Sequence, residues 1–390
     1  MTASQIQPSC PDQLQSQSPL FLAHSADLAE LAVGSRRRRL APRAGLDFSS
    51  NDYLGLSQSA ELANAVACAL DRAVPLGSGG SRLLRGNHEE HEQLEQEAAR
   101  FFACESALFF ASGYAANSAL LSTLPQRGDL VIYDALIHAS AHEGLRLSRA
   151  EALVARHNDV ASIAKHIRRW RSKGGKGRIW IAVESLYSMD GDIAPLRDLL
   201  DLADSNDAIL LVDEAHATGV YGASGEGLAT ELMGRRNVIT LHTCGKALGC
   251  EGALVCGPAI VRDFLINRSR AFIFSTAPSP LMAAAVRASL QIVAAGTHLR
   301  QALNGRVASV QKHAAGLGLK QSPSQILPIL IGDDARTMEI ATRLQAAGFD
   351  VRGIRPPTVA AGTSRLRVSI SLNVSPAEIE ALFGALAIIL

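Results

Sequence analysis

Short apolar runs alternate with longer amphipathic stretches through the middle of this 390-residue chain. Gly, Asp or charged residues bound each run, which is typical of the buried strands of a parallel sheet. The stretches between them, such as residues 89–102 and 196–204, have the periodicity of helices. This alternation predicts an α/β fold, with helices flanking a mainly parallel sheet in a large domain. The six predicted strands are residues 107–111, 130–133, 179–183, 209–212, 238–241 and 253–256.

The last hundred residues have a different pattern, which predicts a smaller α+β domain. Polar residues alternate with apolar ones in segment 365–372, as in a half-buried strand. Ser375 and Glu378 then have the spacing of a capping box, with Pro376 at the first helical position. We expect the polar residues of the strand to face away from the small domain's core; they are Arg365, Arg367, Ser369 and Ser371. The helix presents one apolar stripe, formed by Ile379, Leu382, Phe383 and Leu386.

These patterns divide the chain into four parts. Residues 1–19 contain 12 Gln, Ser or Pro, which predicts a disordered extension. An N-terminal segment follows at 20–55. The large domain is predicted at 56–289 and the small C-terminal domain at 290–390.

Charge and cysteine content narrow the classes of function. Lys and Arg total 38 and Asp and Glu 37, so a formal net charge of +1 gives no support for a nucleic-acid partner. The run Arg36 to Arg39 is typical of a solvated tail, although contact with a phosphate-bearing substrate stays open. The cysteines have no CxxC or zinc spacing, as in a reducing compartment. Without a membrane-length apolar stretch or a secretory signal, we expect a cytoplasmic protein.

A lysine stands just beyond the strand predicted at 238–241, in Thr243-Cys244-Gly245-Lys246. The α/β folds bind ligands at the carboxyl ends of their strands. Partial burial lowers the pKa of a lysine, and an unprotonated Lys246 could form an imine with an aldehyde cofactor. Most lysines are simply solvated, so this motif alone is a weak signal.

A carboxylate, Asp213, directly follows the apolar strand at 209–212. Burying it is costly unless it faces a cation, and the protonated pyridine nitrogen of a cofactor is such a cation. The alternative is a helix N-cap. Asp213 lies 33 positions before Lys246, with one further predicted strand ending beside the lysine. We therefore expect both at the same edge of the sheet.

Three glycine or histidine motifs have simpler alternatives. Ser112-Gly113-Tyr114 lies between a strand and a helical stretch, where backbone N–H groups can hold a phosphate, but a tight turn is equally consistent. No strand leads into the glycine-rich loop 77–82, so it is not a dinucleotide fingerprint. His88 and His91 are predicted on a solvated helix face. Neither this pair nor His138 and His142 has a third ligand at a diagnostic spacing, so no metal site is predicted.

The motifs together resemble the α-oxoamine synthase family of fold-type-I enzymes, which use pyridoxal 5′-phosphate (PLP). The resemblance covers residues 36–386. It implies a homodimer with shared active sites. The motifs are FSSNDYLGL at 48–56, GSGGSR at 77–82, HAS at 138–140, SMDGD at 188–192, DEAHATG at 213–219, TCGK at 243–246, RPPT at 355–358 and SRLR at 364–367.

The resemblance implies roles for residues around the cofactor ring. Lys246 would form the imine and later remove the Cα proton. Asp213 would pair with the pyridine nitrogen, and His138 would stack on the ring. His216 and Ser188 would contact the region of the ring's 3-oxygen.

It also implies contacts to the phosphate and to the substrates. Gly113, Tyr114 and Thr243 would contact the phosphate, and Thr276 would reach the phosphate of the partner subunit's cofactor. Arg367 would hold the amino-acid carboxylate through its bidentate fork. The other implied substrate-binding residues are Arg37, Asn51 and Thr358.

The reaction implied is a decarboxylative condensation of an amino acid with an acyl thioester. The glycine loop and the RPPT stretch favour L-alanine and a pimeloyl thioester, as in biotin biosynthesis. A relative that uses glycine or serine with another acyl group is an alternative. A non-catalytic partner subunit is disfavoured by Lys246 with Asp213 and His216, and an NAD-dependent dehydrogenase by the absent GxGxxG.

Overall fold

The computed structural model describes residues 19–390. The predicted disordered extension, residues 1–19, lies outside the described residues except for Pro19. In chain order the strands are β1 Leu46–Asp47, β2 Ser106–Phe110, β3 Leu130–Asp134, β4 Glu151–Ala155, β5 Ile179–Glu184, β6 Ile209–Asp213, β7 Val238–Thr243, β8 Ala253–Gly257, β9 Ile326–Gly332, β10 Phe349–Asp350, β11 Arg352–Ile354 and β12 Ser364–Ser369.

The helices connect and cover these strands. In chain order they are α1 Leu22–Val33, α2 Ala60–Asp71, α3 Glu89–Phe101, α4 Gly113–Thr123, α5 Ala139–Leu147, α6 Val160–Ser172, α7 Leu196–Ser205, α8 Ala259–Arg268, α9 Arg270–Ile273, α10 Pro280–Ala295, α11 Thr297–Gly316, α12 Asp334–Ala346 and α13 Pro376–Ile389. Short 3-10 turns lie at Pro19–Phe21, Leu56–Gln58 and Thr230–Leu232.

A seven-stranded sheet in the order β2-β8-β7-β6-β5-β3-β4 forms the centre of the molecule. Strands β7, β6, β5, β3 and β4 pair in parallel, and β8 is antiparallel to both of its neighbours. This confirms the predicted α/β fold with a mainly parallel sheet, and all six predicted strands lie in it. The parallel strands end at one edge, where α/β folds bind ligands.

Side chains of β5 alternate between two hydrophobic layers. Ile179, Ile181 and Val183 pack in a cluster with side chains of α6 and α7, whereas Trp180 and Ala182 pack in a cluster with side chains of α4 and α5. This period of two buries both faces of the strand. Helices therefore flank the sheet on both faces, as predicted.

The C-terminal region contains a three-stranded antiparallel sheet in the order β11-β12-β9. The predicted capping box opens α13: Ser375 Oγ accepts from Glu378 N–H at 3.3 Å, and Glu378 Oε2 accepts from Ser375 N–H at 2.6 Å. The predicted stripe of α13 is buried. Strand β1 pairs in parallel with β10, which joins the N-terminal segment to this region.

Two predictions about which residues are buried are wrong. Strand β12 is buried along its whole length rather than half-buried, because Arg365 and Arg367 face polar partners on a loop of the neighbouring region. The helix face at His88 and His91 is not solvated. His88 caps α3, and His91 is fully buried with Nε2 2.7 Å from the carbonyl oxygen of Pro278.

Within residues 19–390, no single helix has the length and apolar character needed to cross a membrane. Only α10 and α11 taken together, bent by 72° at their junction, pass that test by length and composition.

Candidate active site

Lys246 lies three residues beyond β7, at the edge where the parallel strands end. Burial lowers the pKa of its amine to about 8, although the carboxyl groups of Asp213 and Glu184 oppose the shift; the nearby Arg367 guanidinium lowers the pKa further. The structure therefore brings Lys246 and Asp213 together, as their spacing predicted. At this pKa, a fraction of the Lys246 amine is unprotonated near neutral pH.

Asp213 is held through both of its carboxylate oxygens. Oδ1 accepts from the N–H of Ala215 at 2.9 Å, and Oδ2 accepts from Nδ2 of Asn117 at 2.6 Å. A turn follows Asp213 instead of a helix, so the N-cap alternative is wrong. The carboxylate is fixed at the end of β6 and is only partly buried.

Helix α4 begins beside the Thr243 hydroxyl. Ser112 caps the helix by accepting from Ala115 N–H at 3.1 Å, and Gly113 is its first residue. A Cβ at Gly113 would lie 3.3 Å from Thr243 Oγ1, so glycine keeps this helix N-terminus open next to a hydroxyl. Unpaired N–H groups and the helix dipole favour an anion there, which fits the phosphate of PLP. Tyr114, next in α4, is half exposed.

His138 caps α5 and lines a small cavity together with Asn117 and Asp213. Its Nδ1 accepts from Ser140 N–H at 3.2 Å and lies 2.7 Å from Ser140 Oγ. Partial burial lowers the pKa of His138, the charge on Lys246 lowers it further, and Asp213 opposes the shift. The ring is therefore fixed and largely uncharged at neutral pH, which suits stacking on an aromatic cofactor.

His216 is buried under the site and contacts a tyrosine from the N-terminal segment. Its Nδ1 lies 2.6 Å from Tyr53 Oη, and Tyr53 Oη also donates to Asn51 Oδ1 at 3.1 Å. Burial holds the pKa of His216 well below its usual range, and the positive charges of Lys246 and Arg367 act in the same direction. Since a phenol has one proton, donation to Asn51 requires His216 Nδ1–H to donate to Tyr53.

Arg367 extends from β12 toward the same site. Its Nε donates to the carbonyl oxygen of Ser188 at 2.6 Å, Nη2 to Asn51 Oδ1 at 3.0 Å and Nη1 to Ser369 Oγ at 2.7 Å. The N–H of Ser188 in turn donates to Glu184 Oε2 at 3.2 Å. Arg367, Asn51 and Ser188 therefore form one hydrogen-bonded group.

Three predicted site residues are exposed and have no hydrogen bond, among residues 19–390, to Lys246, Asp213 or Arg367: they are Arg37, Thr276 and Thr358. Arg37 is exposed; its neighbours make the contacts, with Arg36 Nε 2.7 Å from Asp334 Oδ2 and Arg38 Nη2 donating to the exposed Thr358 at 3.3 Å. Thr276 is exposed, and the N–H of Ala277 beside it donates to Gly80 O at 2.9 Å. Thr276 therefore lies next to the glycine-rich loop.

Sequence reasoning missed three residues of the site: Asn117, Tyr53 and Glu184. Asn117 is a buried polar residue on an apolar helix, which is a recognisable signal. Tyr53 lies within the motif at residues 48–56, but the motif alone indicates no role for its hydroxyl. Glu184 pairs in register with Asp213, and its Oε1 has no hydrogen-bond partner among residues 19–390. Burial, reinforced by Asp213, raises the pKa of Glu184 well above its usual range, so the charged form of this carboxyl is disfavoured.

Comparisons with known proteins agree with this geometry. The family model described as aminotransferase class I and II matches residues 43–386. The 8-amino-7-oxononanoate synthase of Citrifermentans bemidjiense is 43% identical over 359 residues, covering 90% of each chain. A solved serine palmitoyltransferase variant from S. paucimobilis with a bound PLP–myriocin aldimine is 26% identical, with a TM-score of 0.85 over 95% of this chain and 97% of that one.

A solved 8-amino-7-oxononanoate synthase from Francisella tularensis is 27% identical, with a TM-score of 0.74 over 88% of this chain and 97% of that one. The dehydrogenase alternative is therefore wrong. The chain belongs to the aminotransferase class I and II family and, within it, to the 8-amino-7-oxononanoate synthase family of PLP-dependent acyltransferases.

Proposed function

We propose that this protein condenses L-alanine with a pimeloyl thioester, with PLP as cofactor, to give 8-amino-7-oxononanoate, CO2 and coenzyme A in biotin biosynthesis. The observation that carries the proposal is the convergence of Lys246, Asp213 and Arg367 at one sheet edge in a chain of this family. An amine, a carboxylate and a guanidinium are the groups that such a reaction needs.

The residues at this edge fit PLP. Bound PLP supplies an electron sink for negative charge at the amino-acid Cα. Lys246 would hold its aldehyde carbon, Asp213 its pyridine nitrogen and His138 its ring face. Gly113, Tyr114 and Thr243 would hold the phosphate, and His216 and Ser188 would contact the region of the 3-oxygen.

Lys246 has the properties of a proton carrier. With a pKa of about 8, its amine exchanges a proton readily near neutral pH. Asn117 and the N–H of Ala215 fix the Asp213 carboxylate, so its charge stays in one place while Lys246 changes protonation. Lys246 is therefore suited to remove a proton from the amino-acid Cα and to return one after loss of CO2.

Arg367 is the residue best suited to bind the amino-acid carboxylate. Ser188 O, Asn51 and Ser369 hold its guanidinium in one orientation. A guanidinium has five N–H donors, so it can keep these contacts and still donate to a substrate carboxylate. Its orientation is set before the substrate arrives, which reduces the entropic cost of binding.

The remaining assignments concern the acyl donor and the assembly. We propose that the exposed Arg37 and Thr358 contact the thioester substrate. We also propose a cytoplasmic homodimer in which Thr276 reaches the phosphate of the partner subunit's cofactor. The exposure of Thr276 beside the glycine-rich loop supports that arrangement.

The similarity to serine palmitoyltransferase makes the choice of amino acid the point to test. Purified protein with PLP and pimeloyl coenzyme A is supplied with L-alanine, glycine or L-serine, and free thiol release and the mass of the product are measured. We expect kcat/KM for L-alanine to exceed that for glycine by about tenfold or more, the discrimination available from one methyl group. Lys246→Ala, the control, should release no thiol. A preference for glycine or serine would contradict the assignment.

A further inference from the structure

His157 bridges two carboxylates that come from different parts of the chain. It lies between β4 and α6, with Nδ1 2.8 Å from Asp134 Oδ1 and Nε2 2.6 Å from Asp192 Oδ2. The next residue repeats the bridge, since Asn158 N–H donates to Asp134 Oδ2 and its Nδ2 to Asp192 Oδ2, both at 2.7 Å. Both nitrogens of His157 face oxygen acceptors, so the doubly protonated ring satisfies the arrangement best.

The charge state of His157 agrees with this geometry. Burial by itself lowers the pKa of the imidazole, but hydrogen bonds and charge from Asp134 and Asp192 outweigh burial and raise the pKa to about 10. The Tyr187 ring packs edge-on against the imidazole at 4.5 Å between centroids. His157 is therefore a fixed cation at neutral pH.

Asp192 ends a loop that contacts the small C-terminal sheet. We call residues 188–192, Ser188-Met189-Asp190-Gly191-Asp192, the 188–192 loop. Its Ser188 carbonyl accepts from Arg367 Nε at 2.6 Å, and its Asp190 Oδ1 accepts from Arg365 Nη1 at 2.5 Å. Both arginines of β12 thus donate to acceptors on this one loop.

The 188–192 loop also packs closely at its fourth residue. Gly191 has a φ of +69°, and its carbonyl oxygen accepts from Ser324 Oγ at 2.7 Å. A Cβ at Gly191 would collide with the carbonyl oxygen of Ile326 at the start of β9. The loop is therefore held on one side by His157 and Asn158 and on the other by residues around β9 and β12.

We propose that His157 is a positioning residue for the amino-acid substrate, because it fixes the 188–192 loop that orients Arg367. The inference rests on the proposed function, in which Arg367 binds the carboxylate of the amino acid. His157 touches neither substrate nor cofactor; it acts through Asp192, the loop backbone and the Ser188 carbonyl. Loss of His157 removes one support of the loop, so the Ser188 carbonyl holds the Arg367 guanidinium less firmly.

The test compares two ligands that differ in the carboxylate. Holoenzyme is titrated with L-alanine and with L-alaninamide, which lacks the carboxylate charge, and binding is followed by the change in the visible spectrum. We expect His157→Ala to weaken L-alanine binding by roughly three- to tenfold and to leave L-alaninamide binding unchanged. The KM for the acyl thioester and retention of PLP should also stay unchanged.

Three further variants separate the possible causes. His166→Ala, on α6 and away from the Asp134 and Asp192 pair, is the matched control and should change neither affinity. His157→Gln, which keeps one donor, should give a smaller loss of the same selective kind and serves if the alanine variant fails to fold. In an Arg367→Ala background, His157→Ala should have no further effect on L-alanine binding, because the two residues act in series.

Each other outcome has a definite meaning. Equal weakening of both ligands, or no weakening of either by His157→Ala, would overturn the positioning role. If Arg367→Ala weakens the binding of both ligands equally, or of neither, the proposed function of Arg367 fails instead. Selective weakening by Arg367→Ala but not by His157→Ala would reject the inference and leave the proposed function standing.

Discussion

Around Lys246, burial disfavours charge on two of the neighbouring polar side chains. Burial holds the pKa of His216 well below its usual range and raises that of Glu184 well above it. The Asp213 carboxylate then acts on a lysine whose own pKa burial has lowered to about 8. Because fewer charges compete, a change of protonation at Lys246 has a larger electrostatic effect on what binds there.

The pKa of Lys246 predicts the pH dependence of reconstitution with PLP. The unprotonated amine is the nucleophile, so the rate of imine formation by the cofactor-free protein should rise with pH and level off above about 8. A stopped-flow record of visible absorbance between pH 6.5 and 10.5 measures this rate, with the pH range set by the usual lysine pKa of about 10.4.

Asp213→Asn provides the control for that profile. The Asp213 carboxylate raises the pKa of Lys246, so its removal should move the midpoint to lower pH. A midpoint near the value of a solvated lysine, in the parent protein, would contradict the account of burial at Lys246.

Residues at strand ends could be predicted from the sequence, and residues that depend on distant partners could not. Lys246 and Asp213 follow apolar runs that the chain displays locally. The bridge from Asp134 to Asp192 through His157 joins segments 23 and 35 positions away from the histidine. Nothing in the local sequence around His157 indicates either partner.

At the scale of elements, the strands that could be predicted from the sequence are the buried ones. The six predicted strands are almost wholly buried and therefore read as apolar runs. Strand β4 was not predicted; it is one of the two edge strands of the sheet, and only its last residue, Ala155, is buried. Strand β12 was predicted with the correct alternation, but its polar face is covered by the 188–192 loop, which no periodicity can show.

The bridge between β3 and the 188–192 loop predicts a pH-dependent contribution to stability. The folded pKa of His157, about 10, is above its unfolded value of 6.5, so the stabilisation is fully present below pH 6.5 and is lost as the pH rises through about 10. The difference in Tm between the parent and His157→Gln should therefore shrink toward high pH.

Thermal unfolding of both proteins between pH 6 and about 10.5 measures this difference. His166→Ala, which leaves the bridge intact, should show a difference from the parent that does not change with pH. A Tm difference for His157→Gln that grows with pH would mean that His157 is neutral in the folded protein.

At the scale of the whole molecule, the division of the chain into domains and its assembly stay proposals. The boundary predicted between residues 289 and 290 falls within α10, Pro280–Ala295, so one continuous helix spans it. The proposed sharing of active sites rests on the exposed Thr276. It predicts that two inactive variants regain activity in a mixed dimer, which two monomers could not do.

Two inactive variants should restore each other if active sites are shared. Lys246→Ala lacks the reactive amine, and Thr276→Arg places a bulky side chain where the partner's phosphate would lie. In a refolded equimolar mixture, half of the dimers are mixed and each mixed dimer has one intact site, so about one quarter of the parental activity should return. Mass measurement in solution should give a dimer. No recovery of activity in a confirmed mixed dimer would contradict site sharing.

The visible spectrum of the purified protein with PLP tests the central claim most directly. The account predicts an absorption band of a PLP–lysine imine, its loss in Lys246→Ala and its perturbation by L-alanine. Addition of pimeloyl coenzyme A should then release free thiol. A parent protein without the band, or a band that persists unchanged in Lys246→Ala, would contradict the account.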